Sequence, residues 1–278
     1  MAGPYADEDF PADPYPGTVP PTSYVHADGV GYALVRGRVQ DEPLDGWLAA
    51  RGAAPTTGRL PVLAYGSNRN PSKISWLRAT LGLGAEPVVV LRVRTRGLAA
   101  VWAYGLRTRD GARPAVLAAV PGVEEDHVVW LATPEQVAVL DACEGAGPGG
   151  DGRYRLARLH TGEIRTRDVG SGPTRVDGVL AYLGEPRRGA RCSSTAPWCG
   201  APTSPRRRPG HSPASPRSAT AWSRRRCRRG RPDAARYAVA DCYPVAATEL
   251  DTAPGSGLRE LSFTMTTAAS ETIAATAR

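Results

Sequence analysis

The chain has 278 residues, of which 41% are hydrophobic, and a formal net charge of +8. That is enough for one fair-sized domain or two small ones. The first twenty residues are acidic and proline-rich, and no stretch of about 18 apolar residues occurs, so neither a secretory leader nor a transmembrane helix is expected and a cytoplasmic protein is the default.

The charge is unevenly distributed. Thirteen arginines and no acidic residue lie between Arg187 and Arg231; without them 22 basic residues face 27 acidic ones, a net of −5. The five cysteines, Cys143, Cys192, Cys199, Cys227 and Cys242, are odd in number and contain no CxxC pair, so free thiols in a reducing compartment are expected, with neither a disulfide framework nor a zinc site.

Residues 1–58 read as a proline-rich N-terminal extension with PYPG and VPPT turn signals. It contains a strand-like run, VGYALVRGRV, and a short helix around Leu44–Arg51. From Leu60 the texture changes. LPVLAY is a buried-strand pattern and GSN a tight loop after it. Pro71 opens a helix, PSKISWLRATLG, because a missing N–H costs nothing at the first helical position; Gly82 closes it. PVVVLRVRTR, LAAVWAYGL, PAVLAAV and HVVWLA read as four strands, with turns at Gly97, around Asp110–Gly111 and at Pro121–Gly122.

TPEQVAVLDACEG then reads as a short helix. Thr133 is its N-cap, Pro134 its first residue and Gln136 the partner in a capping box. Val137, Leu140 and Cys143 form its buried stripe, and Gly145 ends it. A glycine-rich loop, Ala146–Gly152, has the composition of a mobile lid. It leads into strands RYRLARLH, EIRTRD and DGVLAYLG. Many strands and few short helices predict an α+β domain over 59–186, built on a curved, mostly antiparallel sheet or partial barrel.

Residues 187–278 lose this pattern. The Arg/Ser/Pro-rich stretch has no apolar period and reads as disordered and basic. A second origin fits its composition. Lys73 is the only lysine among 35 basic residues, which suggests GC-rich coding. A GC-rich back-translation of Arg191 onward, shifted in frame, restores a strand–turn–strand pattern. A frameshifted tail is therefore the competing expectation, and resequencing the gene tests it.

Two motifs carry chemistry. The first is Leu63-Ala64-Tyr65-Gly66-Ser67-Asn68, a hydrophobic strand running into a turn just before a helix. Gly66 allows a sharp turn and a close approach by a ligand, and successive N–H groups there suit an anion. The second is His127-Val128-Val129-Trp130 followed by Leu140-Asp141-Ala142-Cys143-Glu144-Gly145 and then Tyr154. In this order and spacing the two motifs resemble the gamma-glutamylcyclotransferase family, over about Leu60 to Gly184.

The resemblance implies a gamma-glutamylcyclotransferase-like fold and an intramolecular reaction. The α-amine of a gamma-glutamyl group attacks its own γ-carbonyl, giving 5-oxoproline and a released amine or amino acid. It implies Glu144 as the acid/base. One carboxylate can deprotonate the attacking amine and then protonate the leaving nitrogen. A helix C-terminus disfavours negative charge, which suits that role. By the same resemblance Tyr65, Gly66, Ser67 and Asn68 contact substrate, with the loop amides on its carboxylate, and Tyr154 reaches the neighbourhood of Glu144. Asp141 is expected on the helix surface and His127 as an ordinary strand or turn residue. Arg69 and Lys73 depart from the family pattern and read either as contacts for an acidic substrate or as surface. The expected partner is a small gamma-glutamyl compound, with no cofactor or metal implied, no membrane and an undetermined oligomeric state. Two alternatives stand beside this reading: a non-catalytic small-molecule-binding relative of the same fold, and nucleic-acid binding through the Arg-rich tail.

Overall fold

The computed structural model describes residues 4–103, 111–146, 150, 152–170, 172–184, 245–249 and 265–266. The arginine-rich run, four of the five cysteines and most of the Ala146–Gly152 loop lie outside the described residues. The protein is a mixed α+β molecule with one large, open, mostly antiparallel sheet and few short helices.

The strands are β1 (Ser23–Ala27), β2 (Val30–Val35), β3 (Arg38–Val39), β4 (Glu42–Pro43), β5 (Leu60–Ala64), β6 (Val88–Trp102) and β7 (Ala115–Ala132) in the first half. After them come β8 (Tyr154–Leu159), β9 (Glu163–Thr166), β10 (Arg175–Val176), β11 (Leu180–Gly184), β12 (Ala247–Glu249) and β13 (Met265–Thr266). Their order is β12-β8-β11-β5-β7-β6-β1-β2-β3-β4, and β9, β10 and β13 branch from β6. Among the described residues only β5 and β11 pair in parallel.

The first 58 residues are stitched into this sheet. Strand β1 pairs with β6, and a two-residue turn, Asp28-Gly29, sends the chain back as β2. Both turn residues have positive φ, 51° and 77°, as a hairpin turn matching the strand twist requires. The helix α1 (Leu44–Ala49) follows β4 and buries Leu44, Trp47 and Leu48.

Four expected strands turn out to be two. Gly97 does not reverse the chain; it sits within β6 at φ +80°. Pro121–Gly122 likewise lies within β7. The pairing jumps from Arg96↔Glu124 to Leu98↔Ala119, so Gly97 alone faces four residues of β7. Both local turn signals are real, but they lie opposite one another. They bend two paired strands together instead of ending either one.

The sheet has two covered faces. On one, Val62, Ala64, Val88, Val90, Val128 and Trp130 pack against α2 (Pro71–Leu81) and α3 (Pro134–Glu144). On the other, Leu63, Tyr65, Leu91, Val129 and Leu131 share a core with α1. The strict alternation along β5 and β7 divides the residues between the faces. The helix signals hold: the Thr133 hydroxyl accepts the Gln136 N–H and the Gln136 side chain accepts the Thr133 N–H. Gly82 and Gly145 close α2 and α3 in the left-handed conformation.

Two short segments of residues 187–278 are described, and each carries a strand. Ala247–Glu249 adds to the edge of β8 and Met265–Thr266 to β10. Val245 and Ala247 bring apolar side chains onto the core at that edge, and an unpaired strand edge accepts any extended segment that reaches it. Among the described residues no helix is long and apolar enough to cross a membrane.

Candidate functional site

The loop after β5 and the end of α3 meet. Val62 and Leu63 pair with Trp130 and Val129 at the centre of the sheet, so the chain leaves β5 beside the element that leads into α3. It turns through a short 3-10 segment, Ser67–Arg69, and enters α2 at Pro71. At that turn the Asn68 side chain donates a hydrogen bond to Glu144 Oε1 at 2.8 Å. The backbone carbonyl of Asn68 in turn accepts the Trp130 indole N–H at 2.7 Å. The two sequence motifs, 76 residues apart at these positions, are in contact.

Glu144 is half-buried as the last residue of α3. Gly66, Ser67 and Asn68 are also half-buried, whereas Tyr65 is buried and points into the core beneath them. The Tyr65 hydroxyl donates to the Tyr182 carbonyl. Burial pushes that hydroxyl well above the usual phenol range, and the nearby Tyr154, Glu144 and Tyr15 add to the rise. Tyr65 therefore stays a neutral donor across the physiological range. Tyr154, at the start of β8, donates to the Ala115 carbonyl at 3.0 Å.

Several residues occupy places that the sequence did not predict. Asp141 is not on the helix surface. It is 5% exposed and accepts the Tyr182 hydroxyl at 2.7 Å. That contact ties α3 to β11, and burial followed by the Asp141 charge raises the Tyr182 hydroxyl well above its usual value. Arg69 is neither surface nor an outward contact. It is 3% exposed and its Nε donates to the Gly66 carbonyl at 2.9 Å, while its own carbonyl accepts the Tyr24 hydroxyl at 2.9 Å. Lys73 is nearly buried and lies over the Trp76 ring. His127, by contrast, is the strand residue that was expected; it is buried beside Glu125, with 3.3 Å between Nε2 and Oε2, and burial lowers its pKa while Glu125 opposes the shift.

Gly66 also differs from its expectation. Its φ is −105°, so no left-handed geometry demands glycine there. The space for a side chain is tight: a Cβ on Gly66 would lie 3.0 Å from the hydroxyl of Tyr15. Tyr15 comes from the PYPG turn of the N-terminal segment, where the sequence offered only a turn signal. The turn is fastened to the start of α2. Asn70 donates to the Thr18 carbonyl and Ser72 to the Phe10 carbonyl at 3.0 Å.

Among the described residues no three His, Cys, Asp or Glu side chains are grouped to hold a metal ion. An open groove of about 610 Å³ lies between the C-terminal end of α2 and the start of α3, lined by Gly82, Leu83, Thr133 and Pro134. It is at the opposite end of α3 from Glu144 and shares no residue with the motifs. No protein-family model, curated protein or solved structure matches the chain.

Proposed function

We propose that the protein is a gamma-glutamylcyclotransferase-like enzyme with the corresponding fold, acting on a small gamma-glutamyl compound. The observation that carries the reading is the Asn68–Glu144 hydrogen bond. It joins a candidate carboxylate-binding loop to a candidate acid/base, which is the juxtaposition that cyclisation needs.

In this reading Glu144 takes a proton from the substrate α-ammonium. The freed nitrogen attacks the γ-carbonyl carbon and a new C–N bond closes the five-membered ring. Collapse of the tetrahedral intermediate breaks the original C–N bond; Glu144 gives its proton to the leaving nitrogen, and the second proton shed by the ring nitrogen passes to the released amine or to solvent. The products are 5-oxoproline and a free amine or amino acid, and no redox partner is required. The amides of Gly66–Asn68 hold the α-carboxylate and so fix the amine near the base. Asn68 orients the Glu144 carboxylate by occupying one oxygen, and Trp130 and Arg69 anchor the loop through its carbonyls.

The test is 5-oxoproline release from a panel of gamma-glutamyl amino acids and amines, read by mass spectrometry, with Glu144→Gln in parallel. Release by the native chain and a loss of about a hundredfold to ten-thousandfold in the variant is the expected result. A folded native chain that releases none from any compound overturns the enzymatic reading; ligand binding without release would make the protein a binding module.

A further inference from the structure

The N-terminal segment brings a tyrosine to the site from a part of the chain where the sequence showed no chemistry. The Tyr15 oxygen lies 3.0 Å from the point where a Cβ on Gly66 would sit. It accepts the Ala115 N–H at 3.1 Å, and the carbonyl of the same residue accepts the Tyr154 hydroxyl at 3.0 Å. Tyr15 and Tyr154 thus bracket one residue at the start of β7. The Tyr15 ring leans on Trp102, 5.9 Å between centroids, and Trp102 is paired with Ala115 across the hairpin. Its position is fixed from below as well. Gly17, at φ +82°, packs against the Asn70 side chain so tightly that a Cβ there would meet it at 2.7 Å, and the Gly17 N–H donates to the Pro14 carbonyl at 2.9 Å.

A buried cation lies beneath the turn. Arg69 lies under the same glycine; burial lowers its pKa, and Tyr15 and Glu125 oppose that shift. A carboxylate seated on the Gly66–Asn68 turn would have this cation behind it and the Tyr15 hydroxyl beside it.

We propose that Tyr15 is a substrate-contacting residue whose hydroxyl hydrogen-bonds the α-carboxylate of the gamma-glutamyl group, so that the N-terminal segment completes the site. This rests on the cyclotransferase reading above. It selects substrates with a free α-carboxylate over their α-amides or esters, because a phenol donates more strongly to a charged acceptor.

The experiment compares Tyr15→Phe with the native full-length chain on two substrates: a gamma-glutamyl amine and the same compound with its α-carboxylate converted to a carboxamide. Tyr15→Phe keeps the ring on Trp102 and removes only the oxygen. The expected result is a rise in KM of about tenfold to a hundredfold for the carboxylate substrate, the range for a hydrogen bond to a charged group. The carboxamide should change less than threefold, with kcat little altered for either. Tyr32→Phe, whose ring packs on Trp47 away from the site, should behave as native on both substrates. Equal losses on both substrates, or none, overturn the proposal while leaving the cyclotransferase reading intact. A native chain that cyclises neither compound nor any other of the panel overturns both.

Discussion

Asn68 and Gly66 hold the site together by different means. Asn68 spends its amide on Glu144 at 2.8 Å and its carbonyl on Trp130 at 2.7 Å. Asn68→Ala should therefore leave Glu144 in place but poorly oriented. On the function proposed above, the expected outcome is a fall in kcat of about tenfold to a hundredfold, following the usual worth of a hydrogen bond to a charged group, measured by 5-oxoproline release. Gly66 has a steric role. Gly66→Ala places a methyl 3.0 Å from the Tyr15 oxygen, so the Tyr15 side chain must give by a few tenths of an ångström. A stability loss of about 1–3 kcal/mol is expected from such overpacking, read from denaturant unfolding. If Tyr15 is the obstacle, the same substitution in a Tyr15→Ala background should cost little beyond Tyr15→Ala alone, because the two effects share one contact.

At the level of elements, the sheet and helices are joined by a few buried polar anchors. Arg59, just before β5, is fully buried. Its guanidinium donates to the carbonyls of Ala54, Pro87 and Leu131, and to Glu86 at 2.5 Å. These contacts tie the start of β5 to the start of β6 and the end of β7. Burial disfavours the cation and lowers its pKa, and Glu86 opposes that shift. Arg59→Ala removes every one of these donors and leaves buried carbonyls unsatisfied. A destabilisation of about 3–5 kcal/mol is expected, measured by chemical denaturation, and Arg59→Lys should recover only part of it because a single ammonium cannot reach all the carbonyls. Asp141 anchors α3 in the same way through Tyr182.

For the whole molecule, buried histidines set the acid limit of stability. His26 on β1 has no exposed surface, and burial, reinforced by Arg78, lowers its pKa from 6.5 to about 4, against the pull of Asp7. The depressed value means that the unfolded chain binds the proton more readily than the folded one. Stability is therefore complete above about pH 6.5, falls as pH drops towards about 4, and loses no more from this group below that. The full window corresponds to about 3 kcal/mol. His127 is shifted in the same direction by burial and steepens the fall. Urea unfolding at pH 7.5 and pH 4.5 should show this difference, and His26→Gln should flatten it; an unchanged slope would exclude His26 as its source.

The sequence by itself determined the features whose causes lie within a dozen residues. The α+β class, helices α2 and α3 with their proline starts, capping box and left-handed glycine ends, and the two motifs holding Tyr65–Asn68 and Glu144 were all legible because propensity, capping and periodicity are local effects. The tertiary structure alone decided what those features meet. Gly97 and Pro121–Gly122 carry turn signals, yet cross-strand pairing makes them one bend. Asp141 reads as helix surface, and Arg69 as surface or a contact for an acidic substrate, until the fold brings Tyr182 and Tyr24 onto them. Tyr15 reaches Gly66 because β1 is paired with β6 and the turn before it is pinned to α2. Such contacts join residues tens of positions apart, and no local pattern encodes them; they exist only once the sheet order has brought the segments together.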